Sequence, residues 1–212
     1  MRDEELDALS QQLAERLCGH NQALCLHLIR LLADGQAVPV ERLAQVLAIS
    51  PQETDLRLHA LSDIEFDPTG NVIAFGISHA PTAHQFMVNG HKLYTWCALD
   101  TFMYTALLDA PTQVHSICPR TGQSIFLSMT PQGIEHLDPQ SAVISLVVPS
   151  GSIADCLRSS FCNHGHFFSS AEGASAWLPA QEHALVLPIA DAHQLGQRIA
   201  NSRIVQAALQ RV

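Results

Sequence analysis

The chain has 212 residues, 47% of them hydrophobic and 15% charged, enough apolar content for a packed core and too little charge for a disordered polypeptide. Its formal charge is −9; residues 1–80 hold 12 Asp/Glu against five Arg, a net of −7, and Lys92 is the only lysine. Phosphate recognition needs clustered cations, so nucleic acid is excluded as an expected partner.

In chain order, Leu6, Leu9, Leu13 and Leu17 predict an amphipathic helix over residues 3–17, and Leu24, Leu28, Ile29, Leu31 and Leu32 a second over 21–33, stopped by Gly35. A short helix over Val38–Leu47 follows, then another from Ser50-Pro51-Gln52-Glu53, which combines an N-cap serine, a first-turn proline and a glutamate at N3. Ile64–Phe66 and Val72–Phe75 around Asp67-Pro68-Thr69-Gly70 predict a strand, turn and strand. Helices followed by a hairpin give a winged-helix-like N-terminal domain, residues 1–80. Its acidity suits packing or partner contact rather than DNA.

The second domain is expected over residues 81–212. Gln85–Val88 and His91–Tyr94 flank Asn89-Gly90, a strong hairpin signal. A helix from Ala98 to about Leu108 is expected next, then strands at Gln113–Cys118 and Ser124–Ser128, a short helix capped by Thr130-Pro131, and a β-rich run over Ala142–Val148. Residues 153–159 read as one or two helical turns, Ala171–Leu178 as a helix, His183–Leu187 as a strand and Asp191–Gln210 as a closing helix. The fold class is therefore α+β, a helical winged-helix-like part packed on antiparallel strands surrounded by helices.

The six cysteines lie at 18, 25, 97, 118, 156 and 162. Met1-Arg2-Asp3-Glu4-Glu5 is not a secretory signal, and no run approaches the roughly 20 apolar residues of a membrane span. A cytoplasmic protein with no membrane partner is expected, and there cysteines serve catalysis or metals more than disulfides. Phosphate loops, dinucleotide fingerprints, Gly-x-Ser-x-Gly, His-Glu-x-x-His and paired Cys-x-x-Cys knuckles are all absent. Cys97 stands where an aromatic strand gives way to a helix, a position expected to acidify its thiol, and Asp100 follows at i+3 on the same face. The plainer reading makes Cys97 a buried small hydrophobe and Asp100 a partner of the helix dipole. Cys162, His164 and His166 would share one face of a strand and suit zinc or copper, or else be packed and surface side chains. Cys18, Cys25 and Cys156 read as buried filler.

Trp96-Cys97-Ala98-Leu99-Asp100, Cys118 before Thr121-Gly122, Ser160-Phe161-Cys162 followed by His164 and His166-Phe167-Phe168, and Gln194-Leu195-Gly196-Gln197 near the end together resemble the organomercurial (alkylmercury) lyase family over nearly the whole chain. The resemblance implies cleavage of a carbon–mercury bond by protonolysis, in mercury detoxification. It makes Cys97 and Cys162 the mercury-binding cysteines, Asp100 the catalytic acid that also contacts the metal, and Cys118 a chiefly structural third cysteine. Asn163 departs from well-known members of the family, which carry a second cysteine directly after the catalytic one, so a route that passes mercury to that neighbouring thiol has no residue here. No organic cofactor is implied. The implied partners are an organomercurial substrate, small cytosolic thiols that release Hg(II), and a mercuric reductase. Phe161, Trp96, Phe102 and Met103 are candidates for an apolar pocket that keeps Asp100 protonated, or for ordinary core. The alternative function is a thiol-based mercury or copper binding protein, a metallochaperone, which needs the cysteines but not the acid; a winged-helix regulator has the wrong charge.

Overall fold

The computed structural model describes residues 1–16, 21–61, 63–148, 157–178 and 184–210; Cys18 and Cys156 lie outside them. Four helices come first: α1 (Asp3–Arg16), α2 (Gln22–Leu32), α3 (Val40–Leu47) and α4 (Pro51–His59). The α4 cap forms as its sequence requires, Ser50 Oγ accepting the Glu53 N–H at 3.1 Å. The hairpin β1 (Glu65–Phe66) and β2 (Val72–Phe75) follows, then β3 (Ile77–Ser78). Two residues are too short to carry a pattern, yet β3 pairs with β2 on one side and with the strand His91–Thr95 on the other.

That pairing joins the N-terminal hairpin to an eight-stranded antiparallel sheet ordered β1-β2-β3-β5-β4-β6-β7-β8, with β4 (His84–Val88), β5 (His91–Thr95), β6 (Thr112–Ile117), β7 (Ser124–Thr130) and β8 (Gly133–Asp138). Asn89 and Gly90 both have positive φ, 51° and 80°, as a two-residue hairpin of the expected kind requires. The helix expected after Thr130-Pro131 is instead a turn into β8. Thr130 pairs with Gly133 across Pro131-Gln132, and Thr130 Oγ1 accepts the Gln132 N–H at 3.2 Å. Thr-Pro starts a turn as readily as it caps a helix.

Helix α5 (Ala98–Leu108) ends where expected, and nine of its 11 residues are buried, so it is a core helix without a solvent stripe. Its buried threonines are satisfied: Thr101 Oγ1 donates to the Ala98 carbonyl at 2.7 Å and Thr105 Oγ1 to the Thr101 carbonyl at 2.7 Å. A second sheet, β10-β9-β11, is formed by β9 (Val143–Val147), β10 (Phe167–Phe168) and β11 (Ala184–Pro188). The short helices α6 (Leu157–Ser160) and α7 (Ala171–Trp177) flank β10 in sequence.

The expected closing helix is two helices, α8 (Ile189–Ala200) and α9 (Arg203–Leu209), because Ser202 caps a new one by accepting the Val205 N–H at 3.3 Å. Helix α8 lies tightly on α5: a Cβ on Gly196 would come within 2.7 Å of the Met103 nitrogen and the Phe102 carbonyl carbon. Among the described residues no helix is long and apolar enough to cross a membrane.

Candidate active site

Strand β5 delivers the chain to Cys97, the N-cap of α5, with extended backbone at φ −140° and ψ 167°. Cys97 and Asp100 form a reciprocal cap: the Cys97 N–H donates to Asp100 Oδ2 at 3.0 Å, and the Cys97 sulfur faces the Asp100 N–H. The arrangement turns the carboxylate back toward the sulfur, which i,i+3 spacing alone does not ensure. One turn further on, Tyr104 lines the same pocket, where its hydroxyl favours the charged form of the carboxyl group.

Cys162 arrives from the other side, in a single 3-10 turn over Cys162–His164. Two contacts clamp this turn to Cys97. The Ala98 N–H donates to the Gly165 carbonyl at 2.8 Å, and Gly165 packs so closely that a Cβ there would lie 2.9 Å from the Cys97 Cβ. Ser145 of β9 pins the same loop, its Oγ donating to the His164 carbonyl at 2.6 Å and accepting the His166 N–H at 3.0 Å. From the N-terminal side, Arg158 of α6 pairs with Glu65, donates its backbone N–H to Asp63 at 3.1 Å, and lays its guanidinium 5.1 Å from the Trp96 ring centroid.

The ligand atoms of Cys97, Asp100 and Cys162 lie within 4.8 Å of one another, and all three residues are buried. Both cysteines are free thiols. Cys118 is also a free, buried thiol but stands outside this cluster, on the strand-end turn beside Ser169, whose hydroxyl lies 3.8 Å from its sulfur. Burial raises its thiol, yet hydrogen bonds from Thr121, Ser169 and Arg120 outweigh that and hold it at about 7. His164 and His166 do not join the cluster. The 3-10 turn breaks the alternation that would have aligned them with Cys162 on a strand; His166 Nε2 instead meets the Asn163 carbonyl at 2.9 Å, and its ring packs edge-on to Trp177. Asn163 is exposed and Cys25 is buried.

Electrostatics at the trio follow from burial. Loss of solvent pushes the Asp100 carboxyl up to about 7, against hydrogen bonds from the Cys97 thiol and N–H and the Tyr104 hydroxyl that pull it down. Burial also drives the Cys97 thiol well above its ordinary range, helped by its hydrogen bond to Cys162 and by the Asp100 charge. The expected acidification of Cys97 is therefore overturned: the helix N-terminus is present, but full burial of the sulfur outweighs it. At Cys162 the hydrogen bond from Cys97 pulls the thiol down, while burial and the charges of Asp100 and Asp63 leave it net above the usual value. Both thiols therefore hold their protons while the Asp100 carboxyl group titrates near neutral pH.

Leu26 and Ile29 of α2, Phe75, Gly76, Trp96, Met103, Tyr104 and Phe161 wall the pocket beside Asp100 and Cys162, around a cavity of about 20 Å³. Trp96, Met103 and Phe161 were anticipated. Phe102 packs on Phe167 in the core instead, with ring centroids 5.8 Å apart. Gly165, Ser145, Tyr104, Gly76 and Arg158 were not singled out from sequence; the one local hint was a glycine between two histidines.

A family model for alkylmercury lyase matches residues 77–201, and one for the helix-turn-helix domain of alkylmercury lyase matches residues 7–76. The alkylmercury lyase of Streptomyces lividans is 39% identical over 201 residues, covering 91% of this chain and 93% of that protein.

This chain belongs to the alkylmercury lyase family.

Other members also match over most of the chain. The Staphylococcus epidermidis alkylmercury lyase is 39% identical over 81% of this chain and 79% of its own, and that of Pseudomonas putida 36% identical over 91% and 92%. A crystal structure of the mercury-bound form of MerB2 shares the fold, with a TM-score of 0.75 and 24% identity, covering 93% of this chain and 98% of its own. The chain is accordingly an enzyme of the carbon–mercury lyase class, of α+β fold with an N-terminal helix-turn-helix domain.

Proposed function

We propose that the enzyme cleaves the carbon–mercury bond of organomercurials by protonolysis, with Cys97 and Cys162 as mercury ligands and Asp100 as the proton carrier. The observation that carries this reading is the convergence of two buried free thiols and a carboxyl group raised to about 7 within one 4.8 Å cluster. Mercury in R–Hg–X is a soft centre, and thiolates are the ligands it prefers. The first sulfur gives up its proton and displaces X. The second adds to R–Hg, and its proton passes to Asp100. Two sulfurs donating to mercury make the attached carbon basic enough to take that proton. Asp100 delivers it, so R–Hg–X and two thiols become R–H, HX and Hg(II) held by two thiolates.

A carboxyl group titrating near neutral pH can accept and return a proton within one cycle, which an ordinary carboxylate does poorly. The apolar walls exclude competing water. No organic cofactor takes part in this scheme; two small cytosolic thiols exchange with Cys97 and Cys162 and carry Hg(II) away, with a mercuric reductase as the downstream consumer in detoxification. Residues 1–80 wall one side of the site through α2 and the β2–β3 corner, and residues 81–212 supply the reacting groups.

The test is turnover of an arylmercury salt by the purified enzyme with excess thiol, following release of the free hydrocarbon. Catalytic release that stops when both cysteines are alkylated is expected. Stoichiometric mercury binding without hydrocarbon would instead show a thiol-based metallochaperone.

A further inference from the structure

We propose that Tyr104 is a positioning residue for the reaction, its hydroxyl locking the Asp100 carboxyl group in the orientation that serves the two sulfurs. The inference rests on the reading of Asp100 as proton carrier. Residues i and i+4 stack on one helix face, and side chains lean toward the helix N-terminus, so Tyr104 lies back over Asp100. It is 3% exposed and Asp100 6%, a tyrosine hydroxyl at that depth needs a partner, and the Asp100 carboxyl group lines the same cavity one helical turn back. The last torsion of an aspartate is soft and broad. The Cys97 N–H fixes one oxygen, and a second donor on the same group is what stops the plane from swinging.

A second observation shows that the hydroxyl is itself held in place. Gly76, at the corner between β2 and β3, has φ +69°, and a Cβ there would lie 2.0 Å from the Tyr104 hydroxyl oxygen and 3.0 Å from its Cζ. The phenol tip occupies the space that any other residue would fill. The Gly76 carbonyl also accepts the Trp96 N–H at 3.0 Å, so one backbone corner abuts Tyr104 and steadies the residue before Cys97. Tyr104, Gly76, Asp100 and Cys162 all line the same cavity.

Tyr104→Phe keeps the ring and removes the donor. With an arylmercury salt and excess thiol, its kcat should fall about 10- to 100-fold, the size of losing a hydrogen bond to a charged group in a buried site, with KM changed less than about threefold. Intact protein should then accumulate the mass of R–Hg with its carbon still attached, a signature that a merely structural role would not produce. Gly76→Ala, which displaces the hydroxyl, should lower kcat in the wild-type background and add little in the Tyr104→Phe background. An unchanged kcat in Tyr104→Phe would overturn the inference, as would a Gly76→Ala loss equally large in both backgrounds. Wild-type enzyme that released no hydrocarbon would overturn the functional reading and this inference together; wild-type release with an unaffected Tyr104→Phe overturns this inference alone.

Discussion

Asp100 holds its proton in the fold at a pH where the unfolded chain has lost it. Its ordinary value of 3.8 rises to about 7, chiefly through burial. Between those values the folded state binds the extra proton, so the contribution to stability is fully present below the lower one and is lost as pH rises toward the higher. The unfolding free energy of the wild type should therefore drop by on the order of 2 kcal/mol from this group between about pH 5 and pH 8. Asp100→Asn, which has nothing to titrate, should lack that share of the slope. Urea unfolding of both proteins across the range checks it, and parallel pH profiles would mean that the carboxyl group titrates normally. The Cys-x-x-Asp spacing and the later Ser-Phe-Cys run made this trio visible in the sequence. Burial was the plainer reading of Cys97, but that it would outweigh the helix N-terminus was not legible, so an acidic thiol was expected where the fold has a protonated one. Tyr104 and Gly76 could not be paired from sequence either, since the contact joins a helix to a sheet corner 28 positions earlier.

At the scale of elements, the site is a junction of α5 with the Cys162–His164 turn, and Gly165 sets how closely they approach. Its backbone is ordinary, φ −95°, so the requirement there is space rather than conformation. Gly165→Ala would drive a methyl group against Cys97, 2.9 Å from its Cβ, and should cost about 1–3 kcal/mol of stability as overpacking does. It should also spread the two sulfurs, so that Hg(II) taken up by the variant is lost to competing thiol more readily than from the wild type. Equal retention of Hg(II) would show that the turn yields without moving Cys162. Elements with their own local signals were legible: the Ser50 cap, the Asn89-Gly90 hairpin and the whole of α5. The strand β8 and the break at Ser202 were misread because Thr-Pro and Asn-Ser allow more than one local structure, and pairing with β7 or capping of α9 decides between them. Cys162 was placed on a strand by alternation of residue types, whereas the Ser145 hydroxyl and the Gly165 clamp impose a turn.

Across the whole molecule, the acidic residues 1–80 and the nearly neutral remainder share one continuous sheet through β3. The sharing carries a functional consequence, because Leu26, Ile29, Phe75 and Gly76 face the same cavity as Asp100 and Cys162. Sequence patterns marked the two parts, but a two-residue strand joining them leaves no trace in composition or periodicity. Arg158 ties the Cys162 segment to the N-terminal part through Glu65 and Asp63. If the fold holds two thiols and one proton carrier together for protonolysis, replacing Asp100 by Asn separates mercury binding from bond cleavage. Asparagine keeps the size and removes the transferable proton, while the sulfurs still bind mercury. Intact-protein mass spectrometry after reaction with an arylmercury salt should find Hg(II) alone on the wild type, with hydrocarbon released. On Asp100→Asn it should find R–Hg with the carbon attached, and hydrocarbon release slowed by about 10²- to 10⁴-fold. Release from Asp100→Asn at the wild-type rate would contradict the account and move the proton donor to another group.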